Sequence, residues 1–161
     1  MKQNISLQQL INELDFTIKQ CKNISPILSE VSMQLENTTQ ESFEKETSPF
    51  GDKWTPLSKQ TLKHKKGSKI LTESSILQNS INSRTKMQKS KGGAKGSASG
   101  IVSIGTNLEY AKIHQFGGKA EKNLKANIPA RPFLPFKDGD IPNDLKEDIK
   151  ETILNHFKFG K

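Results

Sequence analysis

Any chemistry in this sequence must come from very few side chains. The chain has 161 residues with three histidines, one cysteine, one tyrosine and one tryptophan. His64, His114 and His156 fall in three different predicted elements, so no pair has the spacing by which one helix offers two ligands to a metal. Cys21 alone forms neither an internal disulfide nor a cysteine-based zinc site. Its place on the apolar face of a helix predicts a buried, inert thiol. There is no Gly-x-Ser-x-Gly elbow, and the glycine-rich stretch lacks the Gly-Lys-Ser/Thr ending of a phosphate cradle. The acidic residues fall mostly on helix exteriors, not in the cluster a metal-dependent nuclease needs. The sequence therefore predicts no catalytic centre, no cofactor and no metal.

One stretch gathers most of the distinctive side chains. It runs from Tyr110 to Pro135 and opens Tyr-Ala-Lys-Ile-His-Gln-Phe-Gly-Gly. It closes on Ile-Pro-Ala-Arg-Pro-Phe-Leu-Pro. Gly117 and Gly118 mark a turn that needs positive φ or a close backbone approach. Pro132 and Pro135 hold the run around Phe133 and Leu134 extended. His114 reads as a half-buried histidine whose ring nitrogens bond backbone groups near the glycine turn, with an intersubunit or metal contact as the sharper alternative. Arg131, in a rigid run, is expected to make a fixed salt bridge or carbonyl contact, with an interface role next.

The elements that position these residues follow from periodicity. Ser6 and Gln9 have capping-box spacing. Leu7, Leu10, Ile11, Leu14, Ile18 and Cys21 then recur on one helical face, which must bury against the body of the domain or another subunit. Ser25-Pro26 restarts a helix to about Glu46, carrying Leu28, Val31, Leu35 and Phe43. The two helices form a hairpin or one kinked helix. An ordered turn over 48–58 holds Trp54, read as a core plug. Ser58 caps a short helix through Leu62, and Lys59, Lys63, Lys65, Lys66 and Lys69 with His64 make a solvated basic cluster or an anion contact. Residues 70–81 read as a short helix and 81–89 as a strand. Residues 89–100 and 117–127 are expected to be flexible loops. A clear strand spans 101–107, a short helix 108–116 and an extended run 128–136. Pro142 opens a last amphipathic helix with Leu145, Ile149, Ile153, Leu154 and Phe157.

The fold class that results is α+β: a small twisted antiparallel sheet flanked by an N-terminal helical hairpin and a C-terminal helix. Residues 1–46 form the N-terminal helices and 47–161 the α+β body, in one domain overall. Only 32% of residues are hydrophobic, and the net charge is +8. Such a charge suits a polyanionic partner or plain solubility. No stretch is long and apolar enough for a signal peptide or a membrane span, so folding in a cytoplasm is expected.

Taken in order, several pieces resemble a known family. They are Phe43, the run Ser48 to Ser58 with Trp54, Thr61-Leu62, Ile70 to Glu73, Leu77 to Ile81 and Ile104 to Asn107. Tyr110-Ala111, Ile113 to Gly118 and Ile128 to Leu134 complete the set. At these spacings residues 40–160 resemble the phage virion morphogenesis proteins, the tail-completion family of Mu-like and other contractile-tailed phages. The family usually has a glycine before the Leu-x-x-Ser piece, where this chain has Ser75.

The resemblance implies a non-enzymatic virion protein that acts at the head-proximal end of the tail or at head–tail joining. It implies small α+β subunits in rings, often hexameric, with DNA passing through the lumen. Partners would be further copies of the chain and the tail tube, terminator or head–neck connector proteins. The motif residues for assembly would be Trp54, Tyr110, Ala111, His114, Phe116, Gly117, Arg131, Pro132, Phe133 and Leu134. Lys89, Lys91 and Lys95 would face DNA or a neighbouring ring. The competing expectation is a basic nucleic-acid-binding module, although no helix-turn-helix or aromatic-interleaved basic strand supports it.

Overall fold

A computed structural model describes residues 6–89, 98–120 and 126–157. Helix α1 (Leu7–Lys22) starts at the expected capping box: the Ser6 hydroxyl accepts from the Gln9 N–H and the Gln9 side chain accepts from the Ser6 N–H. Helix α2 (Ser25–Lys45) has Pro26 in its first turn and ends at Glu46 in the left-handed conformation. Short helices α3 (Lys59–His64) and α4 (Ile76–Ser80) follow. Strands β1 (Asn82–Lys89) and β2 (Ala98–Gly105) form an antiparallel ribbon, with Ser83 opposite Ile104 and Met87 opposite Gly100. Helix α5 (Ala111–Phe116) leads into a second small ribbon, β3 (Gly118–Ala120) with β4 (Ala126–Ile128). Helix α6 (Asn143–Phe157) closes the chain. The class is α+β as expected, with the strands divided between two antiparallel ribbons.

The core is built where α2 meets the loops. Phe43, Trp54, Ile70, Leu77, Ile81, Ala111 and Phe133 are buried together. Phe43 packs edge-on against Trp54 with ring centroids 5.5 Å apart, and 5.3 Å from the ring of Phe133. Three distant segments thus meet at one aromatic contact, the plug expected of Trp54. Helix α2 also carries the first ribbon on one flank and α6 on the other.

Several boundaries differ from the sequence reading. The helix expected over 70–81 shrinks to α4, because Leu71 and Ser75 take positive φ. Strand β2 begins three residues inside the expected 89–100 loop. There Gly100 lies against the Leu28 side chain, where a Cβ would clash. The glycine lets α2 seat on the ribbon. The expected 117–127 loop contains β3 and part of β4, and residues 121–125 lie outside the described residues. Cys21 is exposed, not buried, because α1 has no buried residue at all.

Candidate functional site: a cavity beneath the Arg131 run

Residues 129–135, irregular and bent at Leu134 and Pro135 where the sequence reading expects an extended run over 128–136, are held by partners drawn from all round the fold. The Trp54 indole N–H donates to the Pro132 carbonyl at 2.7 Å. The Gln115 side-chain oxygen accepts from the N–H groups of both Phe133 and Leu134 at 3.0 Å. Two consecutive N–H groups cannot both point into one strand ladder, so a buried amide oxygen serves both. The Arg131 N–H donates to the His114 carbonyl at 2.7 Å. Gly117 makes this approach possible. Its φ is +71°, and a Cβ there would lie 2.9 Å from the Ala130 nitrogen. A side chain at position 117 would push the run off α5.

Arg131 is the buried cation of this region, at 6% exposure. Its Nε donates to the Thr55 carbonyl at 2.8 Å and its Nη2 to the Pro56 carbonyl at 3.2 Å. The carbonyl contact is therefore the realised alternative. Among the described residues the ion pairs are surface pairs, Lys45–Glu41, Lys146–Asp140 and Lys150–Glu147. Burial pushes the Arg131 pKa down, since a desolvated cation is disfavoured.

Arg131 and His114 both line a cavity of about 580 Å³, with Thr55, Ser58, Lys65 and Tyr110. The Tyr110 and His114 rings meet edge to face at 6.0 Å. Burial, then the nearby Arg131 charge, pushes the His114 pKa below its usual value, so the imidazole stays neutral near pH 7. His114 is half-buried as expected, but its ring does not bond backbone as expected. Its Nδ1 is buried without a hydrogen-bond partner. The Ser58 hydroxyl caps α3 by accepting from the Thr61 N–H at 3.0 Å. Lys65, from the basic cluster, directs its ammonium to the Lys69 carbonyl.

The motif residues thus divide. Trp54, Ala111 and Phe133 are core, Pro132 and Gly117 shape the run, and Leu134 packs on the core. Tyr110, His114 and Arg131 face the cavity. Phe116 joins neither group, being 69% exposed. Lys91 and Lys95 lie outside the described residues, as does the Lys89 side chain. Gln115 is the residue sequence reasoning missed: a glutamine between His and Phe carries no local sign that it will bond a segment 18 residues away. Among the described residues no group of three or more His, Cys, Asp or Glu side chains could hold a metal ion. Among the described residues no helix is long and apolar enough to cross a membrane.

Comparison with known proteins bears on this arrangement. The chain is 49% identical over 55 residues to the Mu-like prophage FluMu G protein 2 of Haemophilus influenzae, an alignment spanning 34% of this chain and 36% of that one. It is 31% identical over 127 residues to an uncharacterised protein of Methanocaldococcus jannaschii, MJ0331, covering 79% of this chain and 84% of that one. No solved structure matches. The family model for phage virion morphogenesis proteins matches residues 5–158, which takes in the Trp54 plug, the Gly117 turn and the Arg131 run, and the chain belongs to that family.

Proposed function

We propose that the protein is a tail-completion or head–tail joining subunit that self-associates into a ring at the head-proximal end of the tail. The observation that carries this reading is helix α1. Leu7, Leu10, Ile11, Leu14 and Ile18, on one face of α1, are 41–74% exposed. A soluble chain seldom leaves a continuous apolar stripe in water unless another surface covers it. Helix α1 touches α6 near its C-terminal end, where His156 reaches the Gln20 carbonyl at 3.4 Å, and the stripe residues stay exposed there.

The first ribbon gives further support. The Ser83 N–H donates to the Glu36 carboxylate at 2.7 Å, so Ser83 faces away from β2. By the alternation of an antiparallel pair, Thr85 and Met87 also face outward on β1, and Gly100, Val102 and Ile104 on β2. Both edges are free of further strands among the described residues. Repeating such a ribbon head to tail keeps every neighbour antiparallel and leaves no free edge when the ring closes. Arg84 and Lys86 share the face turned away from α2, where they suit a lumen that DNA traverses.

The test is assembly. Leu10→Glu and Leu14→Glu should leave the subunit folded, with an unchanged melting temperature, yet abolish rings seen by light scattering and electron microscopy of tails. A deletion strain should accumulate unjoined heads and tails. Tails that join heads normally in that strain, with no copies of the protein in purified virions, would refute the proposal. Tight, steeply salt-dependent binding of free DNA by the isolated subunit would favour the nucleic-acid-binding alternative.

A further inference from the structure

We infer that the cavity beneath the Arg131 run is a binding site for a carboxylate carried on an aliphatic stem. The inference is independent of ring formation. Arg131 is nearly buried, and its Nε and one Nη2 hydrogen are taken by the Thr55 and Pro56 carbonyls. Those two bonds occupy one edge of the guanidinium. The other edge, Nη1 with the second Nη2 hydrogen, has no acceptor among the described residues. That edge is the two-pronged donor that matches the two oxygens of a carboxylate.

No carboxylate of the described chain lies within ion-pair distance of Arg131. Glu73, the acid on the cavity wall, directs its carboxylate to the Lys66 N–H at 3.5 Å instead. A buried cation without a counter-ion is costly, and a carboxylate brought to it restores the balance. The remaining walls choose the rest of the ligand. Leu57, Leu71 and Ile128 line the same cavity, and they suit a hydrocarbon stem behind the charged end. A phosphate would set charged oxygens against those side chains. His114 stands beside Arg131 as a neutral imidazole with its Nδ1 unsatisfied, so it reports on the site. A negative charge arriving at Arg131 offsets the guanidinium field and makes the imidazole more basic.

The experiment follows the His114 ring protons by NMR in the full chain, at ionic strength held constant with sodium chloride. The probes are sodium acetate, sodium phosphate and the peptide N-acetyl-Ala-Glu-Ala-amide. A saturable shift with a raised His114 titration midpoint is expected for acetate or the peptide. Arg131→Gln should weaken it about tenfold or more. Arg131 also braces the 54–57 turn, so Asn127→Trp serves as a second variant. Asn127 is exposed, lines the cavity, and the larger ring blocks it. A peptide that binds tighter than acetate identifies the ligand as an acidic side chain of another protein, and equal binding identifies a free small acid. Either supports the site. The inference is overturned if neither probe gives a saturable shift, if phosphate binds more tightly than both, or if both variants respond as the wild type does.

Discussion

Replacing Phe133 by alanine isolates the aromatic core from the hydrogen bonds around it. The ring is 1% exposed and touches Phe43 at a centroid distance of 5.3 Å. The backbone N–H of residue 133 stays bonded to Gln115 in the variant, because that bond needs no side chain. The loss is then hydrophobic. Truncation removes on the order of 150 Å² of buried apolar surface, worth about 3–4 kcal/mol at ~25 cal/mol per Å². Loss of the ring pair adds ~0.5–1.5 kcal/mol. The total, about 4–5 kcal/mol, matches the ~3–5 kcal/mol usual for buried aromatic truncations. It is a large share of the ~5–15 kcal/mol of a typical domain. In a chain of this length it should lower the melting temperature by roughly 8–20 °C. Urea unfolding followed by Trp54 fluorescence measures it. The control is Phe116→Ala, where the ring is 69% exposed and the cost should stay within about 0.5 kcal/mol. A Phe133 loss below about 2 kcal/mol, or equal losses at both positions, would refute the placement of these two rings.

Three further outcomes are expected. Trp54→Phe keeps an aromatic ring against Phe43 but orphans the Pro132 carbonyl, and should cost about 1–3 kcal/mol in the same urea assay. Because folding lowers the His114 pKa, the unfolded chain takes up that proton at higher pH than the folded one. His114 therefore contributes stability that is complete above about pH 6.5, its unfolded value. That stability is lost as pH falls from there through the lower folded value. Urea midpoints between pH 5 and pH 8 should show this slope, and His114→Gln should flatten it. Ser75 holds φ +53° at the start of α4. Glycine there would relieve ~1–2 kcal/mol of left-handed strain and lose ~0.4–1 kcal/mol to unfolded-state entropy. Ser75→Gly should thus raise the melting temperature by a few degrees.

Ser75 also shows what a sequence can convey. The glycine usual in the family the chain resembles and the positive φ of Ser75 are one backbone requirement, legible only through the resemblance. Glycine at 117 was legible directly, because a Gly pair after a short helix demands an unusual turn. Gly100 was misread for a physical reason. The residues before it, Gly96 to Ser99, are only Gly, Ser and Ala and offer no large apolar side chain, so the segment resembles a loop. The ordering comes from outside it, from Leu28 on α2 filling the space a side chain would take. The cavity had the same character. Tyr110, His114 and Arg131 could be singled out by type, yet their meeting depends on a turn that brings Thr55 and Pro56 to the guanidinium from far along the chain. Local pattern names such residues; only the tertiary path decides whether they share a wall.

Apolar periodicity has a matching limit, and α1 illustrates it. Its stripe and the one on α2 carry equally clear helical spacing, but Leu35 and Phe43 of α2 are buried by their own chain while no residue of α1 is. Periodicity states that a face must be covered and is silent about what covers it. Five large apolar side chains on that face, about half exposed, leave on the order of 400 Å² of apolar surface, the size of patch that marks an interaction site. Covering it is worth ~10 kcal/mol of gross transfer energy, against ~4–15 kcal/mol for the lost freedom of association. The stripe alone would bind a second surface weakly. Edge pairing of the first ribbon would have to act with it, so removing the outward Thr85 N–H by Thr85→Pro, which leaves the β1–β2 ladder bonds in place, should block assembly as fully as charges on α1 do. A Thr85→Pro protein that still forms complete rings would show that helix contacts suffice and that the ribbon edges take no part.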